Sequence, residues 1–424
     1  MPARRVSVQL PQLPQPRPPD AVARRSARHG QTGEMAPASY RTVLATPGVR
    51  RILATSLLGR LPAAMVGLAI ILRVAHGTGS YSAAGATTAV YVVGAAALGP
   101  VVGRLADRVG RRPVLVATAV LDAVALVALS RVPVHDTAVL LAAAVVAGGA
   151  TPPVAAAVRS LWPVLVDADA RHAAYAVDST LQELTFVLGP SVVAGVGSAF
   201  GTAAPLVVSA LCGLGGTLAF AASPAVVERV SRARHVRQRL ASPRLTILLA
   251  SAGLLVLAFG MIDVAVVAFA GEHHHANQAG LLLGTWSLGS LVGGATFGAR
   301  AGIGGARSLP PLLAATGASF ALLASAPGLS LLYPLLAVAG LAIAPSFGCI
   351  YALAGSLAPE NSAVEVFSWL SSAVLAGAAI GAAVGGVVVQ HLGSGDDELG
   401  AAAAALVAAG ITLGLRRRPQ AVRV

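Results

Sequence analysis

The chain contains no lysine; all 30 of its basic residues are arginine. Without lysine there is no glycine-lysine phosphate loop, which excludes a P-loop ATPase within this chain. Charge is scarce as well, at 11% of residues against roughly 25% in an ordinary soluble domain. Cysteine is limited to Cys212 and Cys349, both inside apolar stretches, so neither a disulfide framework nor a cysteine metal site is implied. Aromatics make up 4%. What remains is 56% hydrophobic, with a mean hydropathy of +0.76. That much apolar surface points to lipid as the solvent. The 47 glycines, together with abundant alanine, suit helices that approach closely where no hydrophobic force drives them together.

Residues 1–45 are rich in proline and arginine and carry no apolar run, the composition of a disordered tail. Arg4-Arg5 is not followed by a short apolar core with a cleavage site, so a twin-arginine signal is not expected. Apolar segments then recur near 51–73, 83–103, 113–131, 137–158, 174–199 and 204–222, and again near 245–269, 279–298, 309–326, 329–354, 364–390 and 398–415. Each is about the 20 residues a transmembrane helix needs. They are continuously apolar rather than alternating, which favours helices over a barrel. The expected organisation is a tail at 1–45, a six-helix half at 46–222, a linker at 223–243, a second six-helix half at 244–415 and a short tail at 416–424.

Arginine placement tests this layout. With the N-terminus inside, 27 of the 30 arginines fall on inside segments, and only Arg60, Arg73 and Arg131 do not. The positive-inside rule predicts that asymmetry. It places both termini in the cytoplasm, in a multi-pass protein of the inner membrane. The formal charge of +13 is thus a topology signal, and no nucleic-acid partner is expected.

The loop after the second span reads Gly103-Arg-Leu-Ala-Asp107-Arg108-Val-Gly110-Arg111-Arg112-Pro113. Gly103 permits close helix packing, and Gly110 permits a tight reversal before Pro113 starts the next helix. The segment resembles the signature of the major facilitator superfamily, at the location that family uses, and the resemblance extends from about residue 50 to 415. It implies an all-α integral membrane fold of twelve helices in two pseudo-symmetric halves. It also implies a latch between the halves in which Asp107 binds the end of a partner helix and Arg108, Arg111 or Arg112 meet acidic groups. Arg159, at the end of the fourth span, is the candidate partner of Asp107, against simple flanking charge. Gly189-Pro190 in the fifth span, with Gly195 beyond, resembles the glycine-proline motif of the drug:proton antiporter branch, although Ser191 and Val192 replace its paired glycines. The all-arginine composition fits a GC-rich, actinobacterial-type member. The second half repeats the signature in faded form at Gly298–Arg307, offset by 195 residues, and repeats Val146-Ala-Gly148 as Val338-Ala-Gly340. Halves related by a parallel repeat are what this fold requires. The linker arginines Arg229, Arg232, Arg234, Arg237 and Arg239 either lie on an anionic membrane surface or are merely solvated.

Ionisable groups in hydrocarbon cost about 3 kcal/mol or more each, which marks them for inspection. Arg60 and Glu183 each lie about nine residues into their spans, roughly 14 Å deep. They are expected either to form a static pair or to make Glu183 a titrating group in transport. Asp263, in the seventh span, is a second proton-coupling candidate or else an outer-mouth polar residue; Asp122 reads as structural and Asp178 as a helix cap. Tyr91 and Trp286 are isolated aromatics that either contact substrate or pack. Gly377, Gly381 and Gly385, like Gly280, Gly284, Gly289 and Gly293, read as packing faces. His273-His274-His275 is a poor chelating geometry without a fourth ligand, so no metal and no cofactor are expected. The expected protein is a monomeric, proton-coupled exporter of small molecules working in the lipid bilayer. The alternatives are an uptake symporter of the same fold and, third, a membrane enzyme or permease subunit, for which no clustered catalytic constellation is present.

A cysteine introduced into the 271–278 hairpin should react with an impermeant maleimide from the cell exterior. Reaction solely from the cytosolic side overturns the orientation.

Overall fold

The computed structural model describes residues 40–226, 242–275, 278–297, 305–359 and 361–416, and these hold helices and no strand. The linker arginines 229–239, most of the faded repeat at 298–307 and nearly all of both tails lie outside the described residues. A short α1 (Tyr40–Ala45) precedes α2 (Val49–Thr78), α3 (Tyr81–Val109), α4 (Arg111–Arg131), α5 (Thr137–Ala150), α6 (Val154–Leu165), α7 (Arg171–Phe200) and α8 (Ala204–Ala221). Then come α9 (Pro243–Glu272), α10 (Ala279–Phe297), α11 (Leu309–Leu323), α12 (Leu329–Gly340), α13 (Ile343–Leu357), α14 (Ala363–Leu392) and α15 (Ser394–Thr412). Among the described residues ten segments are long and apolar enough to cross a membrane, and Leu309–Leu323 is a shorter apolar helix. With α10 they fill the twelve positions of the fold.

Two spans are broken. Pro152 and Pro153 separate α5 from α6, because proline removes the N–H donor that a continuous helix needs. Leu341 and Ala342 separate α12 from α13, with Pro345 in the first turn of α13. These are the fourth and tenth spans, equivalent positions in the two halves. Such breaks are tolerated at membrane depth only where the freed backbone is buried in protein or lines a cavity.

The helix pairing repeats as well. In the first half α2 packs on α8 and α7, α3 on α5, and α4 on α8; in the second α9 packs on α15 and α14, α10 on α12, and α11 on α15. Glycine sets the closest approaches. A Cβ on Gly148 would lie 1.9 Å from the Tyr91 carbonyl oxygen, and one on Gly340 would lie 2.3 Å from that of Trp286. Tyr91 and Trp286 are themselves 195 residues apart, so each marks the same α3–α5 or α10–α12 crossing in its half. On α14, Gly377 and Gly381 abut the carbonyl oxygens of Gly253 and Leu257, and Gly385 abuts Met261. On α10 Gly289 and Gly293 abut the carbonyl oxygens of Ala337 and Leu341, whereas Gly280 and Gly284 face open space.

The cores show how the halves meet. One core cluster draws on both halves at the end carrying residues 103–113: Leu53, Leu115, Trp162 and Tyr175 join Leu248, Ile350, Phe367 and Ala408. Toward the far end there are two separate cores. One is confined to the first half, around Met65, Leu126, Leu140 and Leu206. The other is confined to the second, around Ile262, Phe320, Leu336 and Ala405. The halves therefore share a seal at the motif end and have independent cores at the other.

A valine at Gly381 must displace the Leu257 backbone, since even a Cβ would sit 2.0 Å from its oxygen. Overpacking of this kind costs about 1–3 kcal/mol. Gly381→Val should clearly lower the thermal unfolding midpoint of the purified protein, and Gly284→Val should leave it nearly unchanged.

Candidate functional site

At the motif end, Asp107 lies in the last turn of α3 and reaches across to α14. Its carboxylate accepts the backbone N–H of Val364 at 3.2 Å and of Glu365 at 2.8 Å. The residue at the N-cap position of α14, Ser362, supplies no side-chain cap of its own. The first-turn donors of a helix need an acceptor and favour a negative charge, so Asp107 caps a helix from the opposite half. Beside it, Arg104 donates to Glu365 Oε1 from Nε at 2.8 Å and from Nη2 at 2.5 Å. Gly103 lets α3 lie against α14, since a Cβ there would sit 2.8 Å from Cβ of Ser368. Ser372 donates to the Ala96 carbonyl at 2.6 Å, and the Tyr40 hydroxyl donates to the Gly294 carbonyl, again joining the halves. Gly110, with φ of +113°, makes the reversal from α3 to α4, a conformation that favours glycine. Arg111 lies near Asp107, while Arg108 and Arg112 are exposed.

Arg159 is not part of this cluster. It belongs to a second one, deeper in the bundle, built around Asp178 of α7. Arg60 Nη2 donates to Asp178 Oδ1 at 2.6 Å, and Arg159 Nε donates to Oδ2 at 2.7 Å. Arg159 Nη2 also donates to Gln182 Oε1 at 3.2 Å. Its guanidinium lies 3.7 Å from the ring centroid of Tyr351, a residue of α13 in the other half. The three charged side chains are at most 4% exposed, and Nε and Nη1 of Arg60 have no hydrogen-bond partner. Two cations share one anion, so this set carries one uncompensated positive charge.

The expected Arg60–Glu183 pairing is therefore corrected: Arg60 meets Asp178, which is a shared counter-ion and not a helix cap. Equal depth does not imply one face. Glu183 lies five residues beyond Asp178, about 140° further around a helix of 3.6 residues per turn. It is half-buried, near the buried Ser290 of α10. Glu183 is also near Tyr351, so it faces the second half. Asp263 on α9 is exposed. A carboxylate within a span is costly in lipid. Tyr91 and Trp286 are 6% and 7% exposed, and Trp286 packs edge-on against Phe259 and Phe320. Gly189 brings α7 onto α2, where a Cβ would lie 2.6 Å from that of Ala64, while Pro190 sits exposed inside α7. Among the described residues no group of three or more His, Cys, Asp or Glu is placed to hold a metal. His273 stacks on Phe269 at 4.1 Å.

Sequence reasoning missed Arg104, Glu365, Gln182 and Tyr351. Glu365 lies 261 positions from Arg104, and only the paired geometry of α3 and α14 joins them.

Residues 52–257, just under half of the chain, match the family model of the Major Facilitator Superfamily. No curated protein matches. Solved structures of the same fold include a bacterial homologue of the iron transporter ferroportin in an outward-facing state, at 18% identity and TM-score 0.69 over 87% of this chain and 99% of that one. The human organic anion transporter MFSD10 aligns at 16% identity and TM-score 0.65, over 86% and 99%. The proton:xylose symporter XylE aligns at 14% identity and TM-score 0.65, over 88% and 96%. The fold is the twelve-helix major facilitator fold of a multi-pass membrane protein, and the likenesses point to a transporter rather than an enzyme.

Hydrogen bonds to a charged acceptor contribute about 1.5–3 kcal/mol, and Asp107 makes two that join the halves. Asp107→Asn should loosen the seal and raise the maleimide reactivity of Cys349, which is 1% exposed inside it, by about tenfold or more in a Cys212→Ala background. Unchanged reactivity removes the latch role.

Proposed function

We propose that this chain is a secondary active transporter that moves a small molecule across the cell membrane by alternating access, driven by protons. One observation carries the reading: the halves repeat one pairing scheme yet share a core at the motif end alone. Two rigid bodies joined at one end are the starting point for rocking about a central site. With the arginine-rich loops in the cytosol, that sealed end is cytoplasmic and the conformation faces outward. Asp107, Arg104 and Glu365 then form the cytoplasmic latch, with Gly103, Gly110 and Arg111 shaping it. Arg108 and Arg112 supply topology-setting charge.

Proton coupling is assigned to Glu183, which lies near Ser290 of the other half, and to Asp263, exposed on α9. Each is a carboxylate, a group that can bind and release one proton. Export is the favoured direction, on the Gly189-Pro190 element. Uptake is the second reading, since the fold serves both directions: XylE is a proton:xylose symporter. The unit of action in this reading is the monomer.

A substrate found by thermal-shift screening against antibiotics, sugars and amino acids gives the decisive assay. In proteoliposomes, Glu183→Gln should abolish gradient-driven transport, by about a hundredfold or more, while leaving substrate counterflow measurable. Full gradient-driven transport by the variant removes Glu183 from coupling, and imposing the gradient in each direction distinguishes export from uptake.

A further inference from the structure

We infer that the cluster of Arg60, Asp178 and Arg159 beneath Tyr351 is the charge-recognition site of the transported molecule, and that this molecule is a small organic anion. The inference rests on the transporter reading and adds the substrate class.

Charge comes first. One arginine is enough to balance the charge of Asp178. Here each carboxylate oxygen is taken by a different arginine, leaving an excess charge in a site at most 4% exposed. An uncompensated buried charge costs several kcal/mol, and an anion removes that cost. The donors agree, since Nε and Nη1 of Arg60 are buried without an acceptor. Arginine N–H groups recognise carboxylate and phosphate oxygens, and charge-assisted bonds of that kind are about twice as strong as neutral ones.

Position is the third argument. On α2 the shared motif-end core ends at Leu53 and the core of the first half begins at Met65, with Arg60 between them. The cluster therefore lies at the level where the seal gives way to the separated halves. Tyr351 comes from the second half, so the site draws on both halves, as a transported molecule requires.

The test uses the purified full-length protein in lipid nanodiscs and calorimetric affinities for two matched series: benzoate, benzamide and benzylamine, and succinate, succinamide and 1,4-diaminobutane. At least one anion should bind about tenfold or more tightly than its amide and amine. Arg60→Gln should weaken that anion by about tenfold to a hundredfold without changing amide binding, while Arg60→Lys retains part of the preference. Should Arg60→Gln fail to fold, the wild-type series and Arg60→Lys still decide the matter. Equal binding within each series, tighter binding of an amine, absence of binding by both anions, or an anion preference that survives Arg60→Gln overturns the proposal. Transport itself is judged separately by Cys349 reactivity. A seal that never opens sinks the transporter reading, whereas a seal that opens with no anion preference sinks the substrate class alone.

Discussion

Everything at the motif end depends on one carboxylate capping a helix that belongs to the other half. Asp107 accepts the first-turn N–H groups of α14. In a membrane domain unpaired N–H groups are expensive, and α14 has no cap of its own. Separating the halves at this end therefore exposes helix donors and a carboxylate together, and water must be present to receive both. The Arg104–Glu365 pair adds direction more than strength, because Arg104 is half-exposed and exposed ion pairs contribute about 0–1 kcal/mol. The seal is thus held by buried backbone polarity, with exposed charge setting its alignment.

The same economy of backbone contact explains the glycines. Lipid gives helices little hydrophobic reason to associate, so tight approach must supply the packing energy. Gly148 against Tyr91 and Gly340 against Trp286 do this at equivalent crossings, each pressing on a carbonyl oxygen. The two aromatics are held by this packing at the backbone whatever their rings touch. Asp122 shows the opposite situation: it is buried with Oδ1 unpartnered, near Gly213 on α8, in a region where no arginine answers it.

Much of this was legible beforehand, because it depends on one-dimensional quantities. Span number follows from apolar length, and the reach of Asp107 to a helix end from the resemblance that the motif around it carries. The fourth span read as one helix over 137–158, whereas Pro152-Pro153 divides it and α6 runs on to Leu165; hydropathy counts residues and is blind to missing donors. The failures concern azimuth. Arg60 was matched to Glu183 by depth, and the true partner lies more than a turn earlier on the same helix. Arg159 was matched to Asp107 because both sit near one membrane face, yet its side chain turns inward to Asp178. Depth follows from position in the chain, but the face a side chain takes depends on which helix packs beside it.

Tyr351 is a residue that the arginine cluster has in common with the motif-end core. That residue belongs to the shared motif-end core, and its ring covers the Arg159 guanidinium at 3.7 Å. Any motion that draws α13 away from α6 and α7 must lift the ring from the cation, forfeiting about 0.5–2 kcal/mol and admitting water to a desolvated, positively charged site. The seal is consequently easier to open when something else already neutralises that charge. On the proposed reading, an occupant of the arginine cluster and the contact of Asp107 with α14 would bias one another through Tyr351, even though no residue belongs to both.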